Sequence, residues 1–279
     1  MKINLAKTAG FCFGVKRAID IAYKTLGNNK NVYVLGNIVH NEDVARNLEK
    51  AGIRKSGKLG CGMNRIFLIR AHGAGLNTIK KARKLGYKIV DATCPMVKEI
   101  HKIARSWECK GRTILVIGDK KHDEVQGIIG QLEKRAIVIE GTRDIPWARL
   151  KKIKKACVVV QSTQDSEKAM KIIQALEPHI KELKFFNTIC RPTRLKQQEM
   201  KNMPLENDLM IIIGSKTSAN TKRLYEISKS LNNRSYWVQS RKDIKPGWFA
   251  GIKTVGITAG ASTPDDATEE VINYIKKIT

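Results

Sequence analysis

Val90-Asp91-Ala92-Thr93-Cys94-Pro95-Met96-Val97 sets the organisation of this 279-residue chain. The apolar run from Tyr87 to Val90 reads as a strand, a polar turn follows, and then a cysteine precedes a proline that opens a helix. Proline at the first helical position has its φ already in the helical range and gives up no hydrogen bond the helix needs. The cysteine is thereby placed where main-chain N–H groups lack partners and the helix dipole is positive. That setting favours thiolate over thiol, hence a nucleophile, a redox sulfur or a metal ligand. One such cysteine proves little, because most free cysteines are buried and inert.

Two other stretches share the design. Phe11-Cys12-Phe13-Gly14-Val15 comes just before an amphipathic helix, and Thr188-Ile189-Cys190-Arg191-Pro192-Thr193 follows a predicted strand, Lys184–Phe186, again with proline at a helix start. The separations, 82 and 96 residues, are each about a third of the chain. Further strands are predicted at 32–35, 65–69, 113–117, 136–139, 156–160, 209–213, 236–238 and 254–257, mostly β-branched runs without strict alternation, as in strands covered on both faces. Helical patterns lie between them. Val15–Leu26 carries an apolar stripe, and Pro264–Ile278 is expected to have Thr263 as N-cap, Pro264 at its first position and acids in its first turn. The fold class is therefore α/β, with three similar lobes, mostly parallel sheets and the cysteine loops converging. The expected lobes are residues 13–94, 95–187, and 188–279 together with 1–12.

Hydrophobic residues make up 42% and charged residues 28%, an ordinary globular balance. No apolar run reaches the ~20 residues of a membrane helix, and residues 1–19 lack a secretion h-region, so a cytoplasmic protein with reduced cysteines is expected. The net charge of +26, from 52 basic and 26 acidic residues, raises two readings: a nucleic-acid or acidic-partner surface, or a lysine-rich solvated one. The lysines are dispersed over most helices and accompany no nucleic-acid-binding signature, which favours the second, with attraction for an acidic redox partner as a secondary role.

Ligands of open α/β sheets bind beyond the carboxyl ends of the strands. The loops there hold His40, His72 and His122, Ser162 and Thr163, Ser218-Ala219-Asn220, and Ser262. Histidines, small hydroxyls, an amide and helix N-terminal amides are what phosphate oxygens accept from. No loop is a P-loop, and no glycine fingerprint of a dinucleotide site follows a strand. Glu124, beside His122, is the best-placed proton donor; its alternative role is a first-turn helix acid. Three thiolates without a C-x₂-C pair argue against structural zinc and suit an iron–sulfur cluster with one iron open, hence reduction of a phosphorylated substrate.

The stretches Gly10-Phe11-Cys12-Phe13-Gly14-Val15-Lys16-Arg17-Ala18, Ile38-Val39-His40-Asn41, Ala71-His72-Gly73, Asp91-Ala92-Thr93-Cys94-Pro95, Gly118 to His122 with Glu124 and Val125, Thr188-Ile189-Cys190 and Thr258-Ala259-Gly260-Ala261-Ser262 closely resemble the motifs of the LytB-type 4-hydroxy-3-methylbut-2-enyl diphosphate reductase family. The resemblance runs from Gly10 to about Pro264. It implies a 4Fe–4S cluster on Cys12, Cys94 and Cys190 at the centre of three α/β lobes. It implies diphosphate binding by His40, His72, His122, Ser218, Asn220 and Ser262, with Thr163 and Ala219 also in the substrate site. Glu124 would pass protons, with the Ser162 hydroxyl hydrogen-bonded nearby. The implied reaction is two-electron, two-proton removal of the allylic hydroxyl to give isopentenyl and dimethylallyl diphosphate, with ferredoxin or flavodoxin as donor. Ser162 stands for the usual threonine and Ala219 for a usual serine. Asn187, Pro192 and Lys196 replace aspartate, alanine and arginine, while Asp123 and Arg70 replace proline and serine. Two rivals remain: a basic nucleic-acid-binding protein with structural cysteines, and a paralogous reductase of another allylic diphosphate. Cys61, Cys109 and Cys157 carry no assigned role.

Overall fold

Parallel pairing accounts for all the strand contacts in the computed structural model, which describes residues 1–27, 29 and 31–279. Parallel strands need long crossovers, and the alternating helices supply them. The first sheet is built from β2 (Val32–Leu35), β3 (Ile53–Ser56), β4 (Ile66–Ile69) and β5 (Lys88–Asp91), with α1 (Phe13–Gly27) preceding it and α2 (Glu42–Lys50) and α3 (Leu76–Lys84) between its strands. The second contains β6 (Thr113–Ile117), β7 (Ile137–Ile139), β8 (Lys155–Val160) and β9 (Glu182–Phe185). Its helices are α4 (Pro95–Cys109), which leads into it, α5 (Asp123–Ile129), α6 (Trp147–Leu150) and α7 (Ser166–Leu176). The third joins β10 (Leu209–Ile213), β11 (Ser235–Val238) and β12 (Thr254–Ala259) to the N-terminal strand β1 (Lys2–Leu5), with α8 (Arg191–Asn202), α9 (Ala219–Leu231) and α10 (Asp265–Ile278).

The strand orders are β3-β2-β4-β5, β7-β6-β8-β9 and β11-β10-β12-β1. Taken in chain order within each sheet, with β1 as the last strand of the third, all three have the same topology. The chain is thus three α/β lobes of one design, the third closed by the first residues of the polypeptide. By compactness it resolves into two units. One is Met1–Lys16, His40–Ala45 and Arg191–Thr279; the other, holding the first two sheets, is Arg17–Val39 and Arg46–Cys190.

The central strands are fully buried apolar runs, Leu209–Ile213 and Ala156–Val160 among them, because helices cover both faces. Sequence pattern locates ten strands to within two residues at each end and misses β1 and β3. Both are edge strands, Lys-Ile-Asn-Leu and Ile-Arg-Lys-Ser, whose polar content suits an edge and hides a strand. One cap also differs from expectation. Pro264, not Thr263, is the N-cap of α10, and the Thr263 hydroxyl donates instead to the Ile213 carbonyl, 3.1 Å. Asp265 and Asp266 fill the first turn as anticipated. No helix among the described residues is long and apolar enough to cross a membrane.

Candidate active site

Three of the loops at the carboxyl edge of each sheet carry recurring kinds of side chain. After the first strand of each lobe come His40, His122 and Ser218; after the third, His72, Ser162 and Ser262; after the fourth, Cys94, Cys190 and Cys12. The cysteine therefore always follows an edge strand, and the loop from the neighbouring strand lies beside it. A main-chain bond ties the two in every lobe. The Cys94 amide donates to Ala71 O at 2.9 Å, that of Cys190 to Ser162 O at 3.1 Å, and that of Cys12 to Ala261 O at 3.1 Å. Ala71 and Ala261 each precede a candidate ligand-binding residue, and Ser162 is itself one.

The turns before two of the cysteines explain their sequences. Asp91 Oδ1 accepts from the Thr93 amide at 2.9 Å, and Asn187 Oδ1 accepts from the Ile189 amide at 3.3 Å. This is one local turn, which either side chain makes through a single oxygen, so Asn187 serves in place of aspartate. Cys94 then caps α4 with Pro95 at its first position. All three cysteines are half-buried, and none of the six is in a disulfide. Cys61 and Cys109 are exposed; Cys157 is buried in β8, where desolvation pushes its thiol up to about 12.

Gly10 allows the approach to Cys12. Its φ is +87°, and a Cβ there would meet Asp265 Oδ1 at 2.5 Å. Gly73 does the same beside His72: φ is +79°, and a Cβ would sit 2.6 Å from His101 Cε1. Burial holds the His101 pKa down at about 4, with Arg105 adding to the shift and Asp91 opposing it, so a neutral ring packs under that loop.

Glu124 is in the first turn of α5 and fully buried, so both roles foreseen for it are compatible. Its two oxygens accept from the Ser162 amide at 2.6 Å and the Ser162 hydroxyl at 2.7 Å. Burial raises its pKa above the usual carboxylate range, and these hydrogen bonds only partly oppose the shift. His122 is the N-cap of α5, its Nδ1 accepting from the Glu124 amide at 3.1 Å, and its ring meets that of His72 edge-on with centroids 5.6 Å apart. Thr163 Oγ1 accepts from Gln161 Nε2 at 2.9 Å. Arg70 and Asp123, separately unusual, form a bidentate pair at 2.7 and 2.8 Å that joins the His72 loop to the His122–Glu124 turn.

The other compact unit holds the remaining residues. The Ser262 hydroxyl donates to the His40 carbonyl at 2.8 Å. Glu42 Oε1, on the first residue of α2, accepts from the Ser215 and Thr217 hydroxyls at 2.9 and 3.0 Å, fastening the loop that ends at Ser218. Ser218 caps α9 by accepting from the Thr221 amide, 3.3 Å. Ala219 and Asn220 are the first two residues of α9. Asn220 is 4% exposed, and neither its amide oxygen nor its nitrogen has a hydrogen-bond partner among the described residues. Such a group costs about 1–3 kcal/mol unless a ligand completes it.

One unit thus contains Cys94, Cys190, His72, His122, Glu124, Ser162 and Thr163, and the other Cys12, His40, Ser218, Ala219, Asn220 and Ser262. Sequence reasoning missed the Arg70–Asp123 pair and the support from His101 and Glu42. The Arg70–Asp123 and Glu42–Ser215 partners, 53 and 173 residues apart, share no local pattern, and only the coincidence of two unusual residues in site loops hinted at the first.

Together these features define a three-lobed α/β protein with one cysteine immediately before a helix and two polar ligand loops per lobe. The model of the LytB protein family matches residues 3–276, and the chain belongs to that family. It is 40% identical over 280 aligned residues to the 4-hydroxy-3-methylbut-2-enyl diphosphate reductase of Aquifex aeolicus, covering 99% of this chain and 96% of the relative. It is similar to a solved structure of (E)-4-hydroxy-3-methyl-but-2-enyl diphosphate reductase, described as the terminal enzyme of the non-mevalonate pathway: TM-score 0.72, 39% identity, 99% of this chain and 100% of the other. The E-1-hydroxy-2-methyl-but-2-enyl-4-diphosphate reductase of Plasmodium falciparum superposes with TM-score 0.89 at 28% identity, over 98% and 87% of the two chains.

Proposed function

We propose that this chain is an oxidoreductase that removes the hydroxyl of (E)-4-hydroxy-3-methylbut-2-enyl diphosphate to give isopentenyl and dimethylallyl diphosphate, in the cytoplasm. The observation that carries this reading is the recurring amide bond from each cysteine to a loop bearing a phosphate-binding or proton-handling residue. It ties each cysteine assigned here as a metal ligand to a loop assigned here to the substrate. Cys12, Cys94 and Cys190 are assigned as ligands of a 4Fe–4S cluster. The donor set fits: three half-buried thiols at helix starts, one per lobe, with no fourth cysteine in a C-x₂-C pair. When bound, that cluster supplies electrons for the reductive step.

The remaining chemistry falls to side chains of this chain. His40, His72, His122, Ser218, Asn220 and Ser262 are assigned to the diphosphate, with Thr163 and the α9 amide at Ala219 beside them. The Asn220 amide, otherwise unpaired, gains its partners there. The positive end of α9 adds to the attraction. Glu124 holds a proton more tightly than an exposed glutamate, because burial disfavours its charge, and is assigned as proton donor to the departing hydroxyl. Ser162 orients that carboxyl through both oxygens. The +26 charge suits an acidic electron donor such as ferredoxin or flavodoxin.

The test is anaerobic reconstitution followed by assay with the hydroxymethylbutenyl diphosphate and a chemical reductant. About four irons per chain and turnover to the two C5 diphosphates are expected. Colourless protein that takes up zinc instead defeats the proposal. Faster turnover of a different allylic diphosphate would reassign the substrate, with Ala219 the residue to examine first.

A further inference from the structure

Lys196 is 2% exposed, in the middle of α8, and among the described residues no carboxylate hydrogen-bonds to its ammonium. An ammonium has three donors. All three go to main-chain carbonyls: Thr8 O, Gly10 O at 3.1 Å and Ala259 O at 3.0 Å. Two of those lie in the loop that ends at Cys12, and the third closes β12 just before Gly260 and Ala261. One turn further along α8, Glu199 accepts from the Lys7 amide at 2.6 Å and from the Thr8 amide at 3.1 Å and hydroxyl. A single helix face therefore takes the Lys7 and Thr8 amides and the Thr8 and Gly10 carbonyls, while the Ala9 and Gly10 amides bond to Ala6 O and Ala259 O.

Burying an ammonium costs several kcal/mol unless something compensates. Three carbonyl dipoles satisfy its protons without cancelling its charge. Desolvation draws its pKa down to about 8, while Cys12, Glu199 and Asp265 lie within electrostatic reach and oppose that. The charge thus persists at neutral pH, held on carbonyls of the loop that carries Cys12. A solvent-exposed lysine would be screened there; this one is not.

We propose that Lys196 is a positioning residue with two effects: it fixes the loop that carries Cys12, and it sets a buried positive charge against that loop that raises the reduction potential of a metal centre held by Cys12. The second effect rests on the cluster assignment above. An added electron makes such a centre more negative, so a fixed cation in a dry site favours the reduced state. The first effect stands on the iron-free protein alone.

Full-length wild type, K196R, K196Q and K196M are compared. After anaerobic reconstitution each is titrated with dithionite and mediators, following the reduced centre by electron paramagnetic resonance. K196R keeps the charge and is expected to titrate with wild type. K196Q keeps a donor and K196M does not, and both lack the charge. Both are expected to show a reduced-to-oxidised ratio about tenfold lower at a given potential, ~59 mV for one electron. Neutral variants that titrate with wild type overturn the electrostatic effect even when iron is fully loaded. In iron-free protein, tryptic cleavage after Lys7 is expected to be about tenfold faster in K196M than in wild type or K196R, because the segment opens locally more often. Equal cleavage rates overturn the positioning effect. If wild type itself takes up no iron, the cluster assignment and the potential effect both fail, and the cleavage result still decides the positioning.

Discussion

Glu124, His101 and Ala219 each carry a measurable consequence. The folded pKa of Glu124 lies above the usual 4.5, so the folded protein holds that proton more tightly than the unfolded chain. The stability it contributes is complete below about 4.5 and is lost as pH rises through the folded value. As proton donor, it should also lose activity in the same direction. Glu124→Gln is expected to lower kcat by about 10²–10⁴ with little change in diphosphate affinity, and to remove that alkaline loss of stability; a variant with wild-type kcat would exclude the assigned role. His101 runs the other way. Its folded pKa is depressed to about 4 from 6.5, so its contribution is complete above 6.5 and is lost as pH falls toward 4, on the order of 3 kcal/mol. Thermal melts of His101→Asn over that range should show a shallower acid loss than wild type. Ala219 is half-buried in the first turn of α9 and brings no hydroxyl to the proposed phosphate site. Ala219→Ser should tighten diphosphate binding by about 1.5–3 kcal/mol, measurable by calorimetry; unchanged affinity means that an amide or water already fills the place.

At the scale of elements, the Arg70–Asp123 pair fastens the loop after β4 to the first turn of α5. The side chains are 21% and 34% exposed, so solvent screens the pair and its coupling should be about 1 kcal/mol rather than the several expected of a dry one. A double-mutant cycle with Arg70→Ala and Asp123→Ala, read by denaturant unfolding, should return that coupling. Either single variant should raise KM for the diphosphate more than it lowers stability, because the pair joins His72 to His122 and Glu124. Additive effects would show the two substitutions to be unrelated. The central strands and the helices that begin at Cys94 and near Pro192 were legible from sequence, since apolar runs and proline position are local signals. Edge strands β1 and β3 were not, because their residues answer to solvent on one side. The Thr263 cap was misplaced for a related reason: its hydroxyl is taken by Ile213, 50 positions away.

For the whole molecule, the repeated topology sets one cysteine per lobe, with β1 supplying the last strand of the third. Removal of residues 1–5 takes away that edge strand, whose partners run from Lys2↔Thr254 to Leu5↔Ile257, and the support of the Cys12 loop with it. Such a truncation should lower Tm and iron content together, whereas Cys12→Ser should lower iron content with Tm of the iron-free protein nearly unchanged. The α/β class, the three cysteine junctions, the histidine and serine loops and the family resemblance are all legible in contiguous residues. The distant groups that support them emerge on folding alone: Ser162 on Glu124, Arg70 against Asp123, Lys196 and Glu199 on the Cys12 loop. Those contacts arise between segments that the chain brings together only when burial of the sheets forces their loop ends into register. Hydrogen-bond partners of that kind follow from geometry and leave no periodic trace in the sequence.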